Sequence, residues 1–223
     1  IVSGIVLAED GKKMSKSLRN YTDPMVVVET YGADAMRFAL LNSSLVKADD
    51  LKYSDNIVKD VIKELLLPLW NAYSFFVTYA NIDGYEPSET AFEDLENPLD
   101  KWIISDLEKL IKTETEAYDS YDMQVAASSL ITFLDDLNNW YIRRSRRRFW
   151  RSENDGDKKA AYDTLYKVLV TFVKIACPIV PFVTEEIFQN LRTDAMPESV
   201  HLCNYPEYNA ASRDEKLEKE MSI

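Results

Sequence analysis

Hydrophobic positions recur at three- and four-residue steps over most of the chain, the period of helices buried on one side. The longest run starts at Ser54, where Val58, Val61, Ile62, Leu65, Leu66, Leu69, Tyr73, Phe76, Val77 and Ala80 trace one stripe. Pro68 lies inside it and predicts a kink, because proline lacks the N–H that bonds one turn back. A second helix is predicted from Pro98 to about Tyr121, with Trp102, Ile103, Leu107, Leu110 and Ile111 inward. A third starts near Asp122 and carries Val125, Ala126, Ser129, Leu130, Phe133, Leu134, Leu137, Trp140 and Tyr141. Asn154-Asp155-Gly156-Asp157 breaks that pattern, and Tyr162, Leu165, Tyr166, Leu169, Phe172, Val173 and Ala176 resume it. Cys177-Pro178 and Pro181 end this helix and open a short one, about Phe182 to Leu191.

The first residues read differently. Ile1 to Leu7 is β-branched and apolar and predicts a strand that runs into a turn at Glu9-Asp10-Gly11. Having lost its sheet, such a strand would be mobile or pair between molecules. A polar, basic loop follows. Asp23-Pro24 then offers a helix start, with Asp23 as cap and Pro24 at the first helical position. Gly32 separates that helix from another reaching about Asn42. Asn81 to Asn97 is acidic and turn-rich and predicts an exposed loop. A short strand is predicted at Ser199 to Cys203 and a charged tail from Glu207. The fold class expected is mainly α: an antiparallel helical bundle after a short β/loop remnant. The expected division is residues 1–50, residues 51–206 as the bundle, and residues 207–223 as the tail.

Composition narrows the function classes. The chain has 223 residues and a formal net charge of −12, from 26 Lys+Arg against 38 Asp+Glu. That balance argues against a protein that coats nucleic acid non-specifically, while leaving room for a local basic patch. Five glycines fit a helical chain. Two cysteines, Cys177 and Cys203, make neither a disulfide framework nor a zinc site, and point to a reducing, cytoplasmic setting. The one histidine, His201, disfavours His-pair metal sites and a His-based triad. No apolar run is long enough to span a bilayer, no signal-peptide pattern opens the chain, and its start at Ile1 suggests a piece of something larger.

Two stretches carry chemistry. In Lys13-Met14-Ser15-Lys16-Ser17, two ammonium groups and two hydroxyls share one loop, suited to phosphate oxygens whose charge shifts during reaction. Taken alone, such a pentamer reads more readily as a solvated basic loop. The second stretch holds Arg143, Arg144, Arg146, Arg147, Arg148 and Arg151 beside Trp140, Tyr141, Phe149 and Trp150, with no acid from Asn139 to Ser152. Arginine pairs with phosphate through two hydrogen bonds and stacks on splayed bases. A structural reading weighs as much: Trp140, Tyr141 and Phe149 continue a core stripe, and some arginines pair with acids. Counting from Trp140, it is Arg143, Arg144 and Arg147 that would turn partly inward.

Gly11 to Tyr21, which contains the pentamer, resembles the signature loop of class I aminoacyl-tRNA synthetases. Tyr31-Gly32-Ala33-Asp34-Ala35-Met36-Arg37, Leu67-Pro68-Leu69-Trp70-Asn71, Asn139 to Arg146 and Pro181 to Glu186 are most similar to the isoleucyl-tRNA synthetase family. The valyl enzymes are the nearest competitor. Thr22 and Arg147 depart from residues common in the family, a proline and an acid respectively.

The resemblance implies an enzyme that joins L-isoleucine to ATP, with Mg²⁺, and passes the aminoacyl group to tRNA(Ile). It implies that Lys16 and Lys13 contact ATP and act in catalysis, supported by Ser15 and Ser17. It also implies a helical anticodon-binding domain, with Trp140, Arg143, Arg144, Arg146, Arg147, Arg148 and Arg151 as nucleic-acid-binding candidates. The family's His-containing ATP motif, isoleucine-binding domain and editing insert have no counterpart here, so the expectation is a monomeric piece unable to activate isoleucine alone. A helical interaction module without RNA affinity is the reading from a different class.

Overall fold

The computed structural model describes residues 2–87, 95–150 and 156–221. It is mainly helical, with one two-stranded parallel sheet among the described residues. Strand β1 (Val6–Leu7) pairs with β2 (Leu51–Lys52) in the register Val6 to Leu51 and Leu7 to Lys52. The expected N-terminal strand is therefore shorter than its apolar run, and it pairs within the chain rather than standing open. Gly4 makes the approach possible: a Cβ there would lie 1.8 Å from the Asp49 carbonyl oxygen. The Gly4 N–H donates to Leu45 O at 2.9 Å, just ahead of the strand.

Between the strands run α1 (Pro24–Tyr31) and α2 (Ala33–Leu41). The Asp23 side chain caps α1 by accepting from Met25 N at 2.9 Å. Gly32, at φ 89°, breaks the chain between the two helices in a backbone region that costs glycine nothing. Two α2 residues then clasp the far end of the bundle. The Asp34 carboxylate accepts from Phe182 N at 3.2 Å and Val183 N at 2.7 Å, satisfying first-turn N–H groups of another helix. Arg37 donates to the carbonyls of Ile179 at 3.2 Å and Pro178 at 3.0 Å. Burial raises the Asp34 pKa, against those two N–H donors and the nearby Arg37.

The bundle holds α3 (Asp55–Val61), α4 (Leu67–Asp83), α5 (Pro98–Asp119), α6 (Met123–Asp135), α7 (Arg143–Trp150), α8 (Gly156–Ala176) and α9 (Pro181–Leu191). A π turn, Ile62–Leu66, joins α3 to α4, and another, Asp136–Ile142, joins α6 to α7. Where Pro68 predicts a kink, the structure has a π turn just before the proline, which has no N–H to offer. The core runs unbroken from Val27 and Phe38 through Leu65, Leu107, Leu130, Tyr141, Phe172 and Phe188.

Two C-terminal expectations change, and the acidic loop is exposed over most of its described residues, at Gly84, Glu86, Pro87 and Glu96. Ser199 to Cys203 is a 3₁₀ turn (Val200–Leu202), not a strand; the Ser199 hydroxyl accepts from His201 N at 3.2 Å and starts the turn. The charged tail includes α10 (Glu215–Met221), which docks on α5: the Ser105 hydroxyl donates to Glu218 at 2.6 Å and accepts from Asp214 N at 2.7 Å. The acidic stretch after α4 is anchored where it can be described, by Tyr85 donating to Asp163 at 2.7 Å and by buried Leu95. Its residues 88–94 lie outside the described residues.

Candidate nucleotide loop and nucleic-acid interface

The loop from Gly11 to Asn20 is built by its own polar side chains. Ala8 N donates to Lys12 O at 2.8 Å, and Leu7 bridges Lys13, so the chain folds back on β1. Asn20 then closes the loop: its Oδ1 accepts from Ser15 N at 2.9 Å and its Nδ2 donates to Lys13 O at 3.1 Å. The Ser15 and Ser17 hydroxyls lie 2.8 Å apart, and Met14 packs against the core beneath them. Lys13 and Lys16 are exposed. An amide clasp thus holds a short loop whose two ammonium groups face water with two hydroxyls beside them. Asn20, which the sequence reading placed in the motif without a role, is the residue that shapes it.

The arginine run divides. Its inward stripe counts from Tyr141, not from Trp140: Tyr141, Ser145, Arg148 and Phe149 are all buried, at helical spacing. Arg143, Arg144, Arg146 and Arg147 are therefore exposed together, and among the described residues none of them forms an ion pair. The Arg144 guanidinium rests 4.3 Å from the centroid of the half-buried Trp140 ring. Arg143 and Arg146, with Asn139 one turn earlier on the same run of helix, line a groove of about 610 Å³ that runs between the two π turns; Lys63, Glu64 and Asn71 lie across it, and Asp135 lines it too. Lys63 and Asn71 come from stretches that carry no charge run, and only the pairing of the two irregular helices brings them to the arginines.

Arg148 corrects the expectation that it contacts nucleic acid. It is 6% exposed, and its guanidinium donates to both Asp100 oxygens, at 2.7 and 2.6 Å. The Asp157 carboxylate adds an ion pair at 2.8 Å, and the Tyr141 hydroxyl donates to Asp100 at 2.7 Å. Burial opposes the charge on Arg148, but the bonds to Asp100 more than offset it and raise its pKa. Arg151 lies outside the described residues.

Other titratable groups do structural work. Burial raises the Cys177 thiol to about 11, which leaves it unreactive. No group of three or more His, Cys, Asp or Glu side chains that could hold a metal ion occurs among the described residues, and no helix there is long and apolar enough to cross a membrane.

Comparison with known proteins places this geometry. Residues 1–52 match the model for tRNA synthetases class I (I, L, M and V). The isoleucine–tRNA ligase of Treponema denticola is 57% identical across 99% of the chain, and that of Protochlamydia amoebophila 51% across 99%. The chain spans only 21% of the length of these curated relatives. Among solved structures, the Agrobacterium radiobacter K84 LeuRS in its ternary complex with tRNA and LeuAMS superposes on 97% of the chain with a TM-score of 0.73, at 22% identity and over 24% of its own length. Mycobacterium tuberculosis methionyl-tRNA synthetase in complex with methionyl-adenylate aligns over 82% of the chain and 36% of its own, with a TM-score of 0.66 and 25% identity. Residues 100–223, more than half of the chain, match the anticodon-binding domain of tRNA ligases, and the chain belongs to that family.

Proposed function

We propose that this chain is the part of an isoleucine–tRNA ligase that grips the anticodon region of tRNA(Ile) and carries one half of the ATP site. The observation behind the reading is the set of four exposed guanidinium groups on α7, none of them in an ion pair among the described residues, in a chain of net charge −12. Phosphate contacts supply affinity and position, while bases splayed from an anticodon loop need groove polar groups and planar side chains. Arg143, Arg144, Arg146 and Arg147 serve the first need. Trp140 and the groove amides of Asn71 and Asn139 serve the second. The identity to isoleucine–tRNA ligases supports isoleucine as the amino acid of the whole enzyme.

In the same reading, the loop at residues 13–17 is the class I signature loop. Adenylate formation expels pyrophosphate, and negative charge builds on the departing oxygens. Lys16, with Lys13, stabilises that charge, and Ser15 and Ser17 donate to the phosphates or brace the loop. The chain alone does not activate isoleucine, because the pocket for the amino acid lies elsewhere in the whole enzyme.

The test is a titration of the chain with tRNA(Ile) and with the same tRNA altered in its anticodon. The reading requires tighter binding of the unaltered tRNA, and no isoleucine-dependent ATP–pyrophosphate exchange by the chain. Equal affinity for both tRNAs contradicts the anticodon assignment, and measurable exchange contradicts the division of labour. Preference for a valine anticodon would transfer the assignment to the valyl enzymes.

A further inference from the structure

Beside the basic loop, the short sheet supplies a lysine that the motif does not contain. Leu7 has a partner on each side: it pairs in parallel register with Lys52 of β2, and it bridges Lys13 in antiparallel sense. Residues directly opposite one another in a sheet point to the same face. Val6, Met14 and Tyr53, each one step along from these three, turn the other way and pack into the core. Leu7, Lys13 and Lys52 therefore share the outward face, and both lysines are exposed. They leave the backbone about 9–10 Å apart, one on either side of Leu7.

Gly11 lets Lys52 lean over the start of the loop. A Cβ at that position would stand 3.2 Å from Lys52 Cε and 3.7 Å from its Nζ. The Gly11 backbone, at φ 77°, also suits a residue without a side chain. Two neighbouring acids are engaged elsewhere. Asp10 pairs with Lys12 at 3.4 Å and accepts from Lys12 N at 3.0 Å, and Asp50 accepts from Ile5 N at 3.1 Å. Among the described residues Lys52 forms no ion pair.

We propose that Lys52 is a third phosphate-contacting cation of this loop, joining Lys13 and Lys16 on the polyphosphate of the nucleotide. This rests on the reading of residues 13–17 as half of an ATP site. A polyphosphate carries more charge than two ammonium groups neutralise, and that charge is spread along it. A cation set across Leu7 from Lys13 meets a different part of it, and a compact ammonium on a flexible stem can follow the oxygens. Lys52 differs from the motif lysines in its footing. It stands on a strand pinned by Leu51 N donating to Ile5 O and Tyr53 N donating to Leu7 O, both at 2.9 Å. It offers a fixed charge where the loop offers adjustable ones.

The test is a titration of this chain with sodium pyrophosphate, without Mg²⁺, at about 0.1 M ionic strength, where charges more than about 10 Å apart are screened. NMR follows the Cε–Hε signals of the lysines. Lys13, Lys16 and Lys52 should shift together along one binding curve, while Lys216 on α10 stays still. Lys52→Gln should weaken pyrophosphate binding about two- to fivefold, the weight of one exposed ion pair. Lys12→Gln should weaken it less, because Asp10 already holds that ammonium. Shifts at Lys13 and Lys16 with Lys52 silent overturn the proposal and leave the loop reading standing. Equal losses in Lys12→Gln and Lys52→Gln also overturn it, since bulk charge would then account for both. No shift at any of the three lysines overturns the loop reading, and the proposal with it. Should Lys52→Gln not fold, the titration of the unsubstituted chain decides.

Discussion

Arg148 closes a two-pronged hydrogen bond on Asp100, at 2.7 and 2.6 Å, across 48 residues of sequence. The pair ties α7 to the start of α5, and through Asp157 to the start of α8. Removing one partner leaves a buried charge without compensation, so Arg148→Ala or Asp100→Ala should each cost about 3–5 kcal/mol. Replacing both by apolar side chains of similar volume should recover much of that loss. Urea unfolding of the two single variants and the double variant checks this, and additive losses in the double would show that the pair is not coupled.

The four exposed arginines should behave in the opposite way. Changing Arg143, Arg146 or Arg147 singly to Gln should leave stability within about 0.5 kcal/mol, because each side chain stands in water. Arg144→Gln gives up its place on the Trp140 ring and should cost about 0.5–1 kcal/mol. Thermal unfolding separates these from Arg148, and a large loss at Arg143 or Arg147 would place them in the fold.

Asn20 should govern the order of the basic loop without governing the fold. Asn20→Ala removes the acceptor for Ser15 N and the donor to Lys13 O. The Ser15 amide should then exchange with solvent faster, while global stability falls by roughly 0.5–1.5 kcal/mol for each bond removed. Amide exchange followed by NMR reads both, and an unchanged Ser15 rate would mean that something else holds the loop.

Glu114 makes stability depend on pH. Burial lifts its carboxyl from an ordinary 4.5 to about 8, against the Ser129 hydroxyl bond. The folded chain therefore keeps a proton that the unfolded chain sheds. This contribution is fully present below pH 4.5 and is lost as pH rises through about 8, with a slope of at most about 1.4 kcal/mol per pH unit. Asp136, raised to about 6 by burial and then by Asp106, adds a slope of the same sign at lower pH. Denaturant midpoints from pH 5 to 9 for the unsubstituted chain and Glu114→Gln isolate the Glu114 share. Parallel curves would show that Glu114 is ionised in the folded chain.

Helices were legible wherever the apolar stripe was long, as from Trp102 to Ile111 and from Tyr162 to Ala176. What the spacing could not convey was phase. Taking Trp140 as the inward reference turned Arg143, Arg144 and Arg147 toward the protein. The stripe in fact passes through Tyr141 and Ser145 to Arg148. A buried arginine looks like its exposed neighbours until its carboxylate is known, and Asp100 lies a helix away. The same reason hid the groove: Lys63 and Asn71 meet Arg143 and Arg146 only once two helices with π turns pack together. The basic loop, by contrast, was readable from its own residues, because Asn20 and Ser15 are local partners. The docked α10 was missed since its polar surface is matched by Ser105 on a distant element.

The measurement that bears most directly on the whole account is the salt dependence of tRNA(Ile) binding, compared between the unsubstituted chain and the fourfold Arg143, Arg144, Arg146, Arg147→Gln chain. Removing one arginine–phosphate pairing should flatten the plot of log affinity against log salt by about 0.7–0.9. A slope reduced by at least about 2, in a chain that still melts normally, is the predicted outcome. Unchanged affinity and slope would contradict the account, and would mean that tRNA does not meet this face of α7.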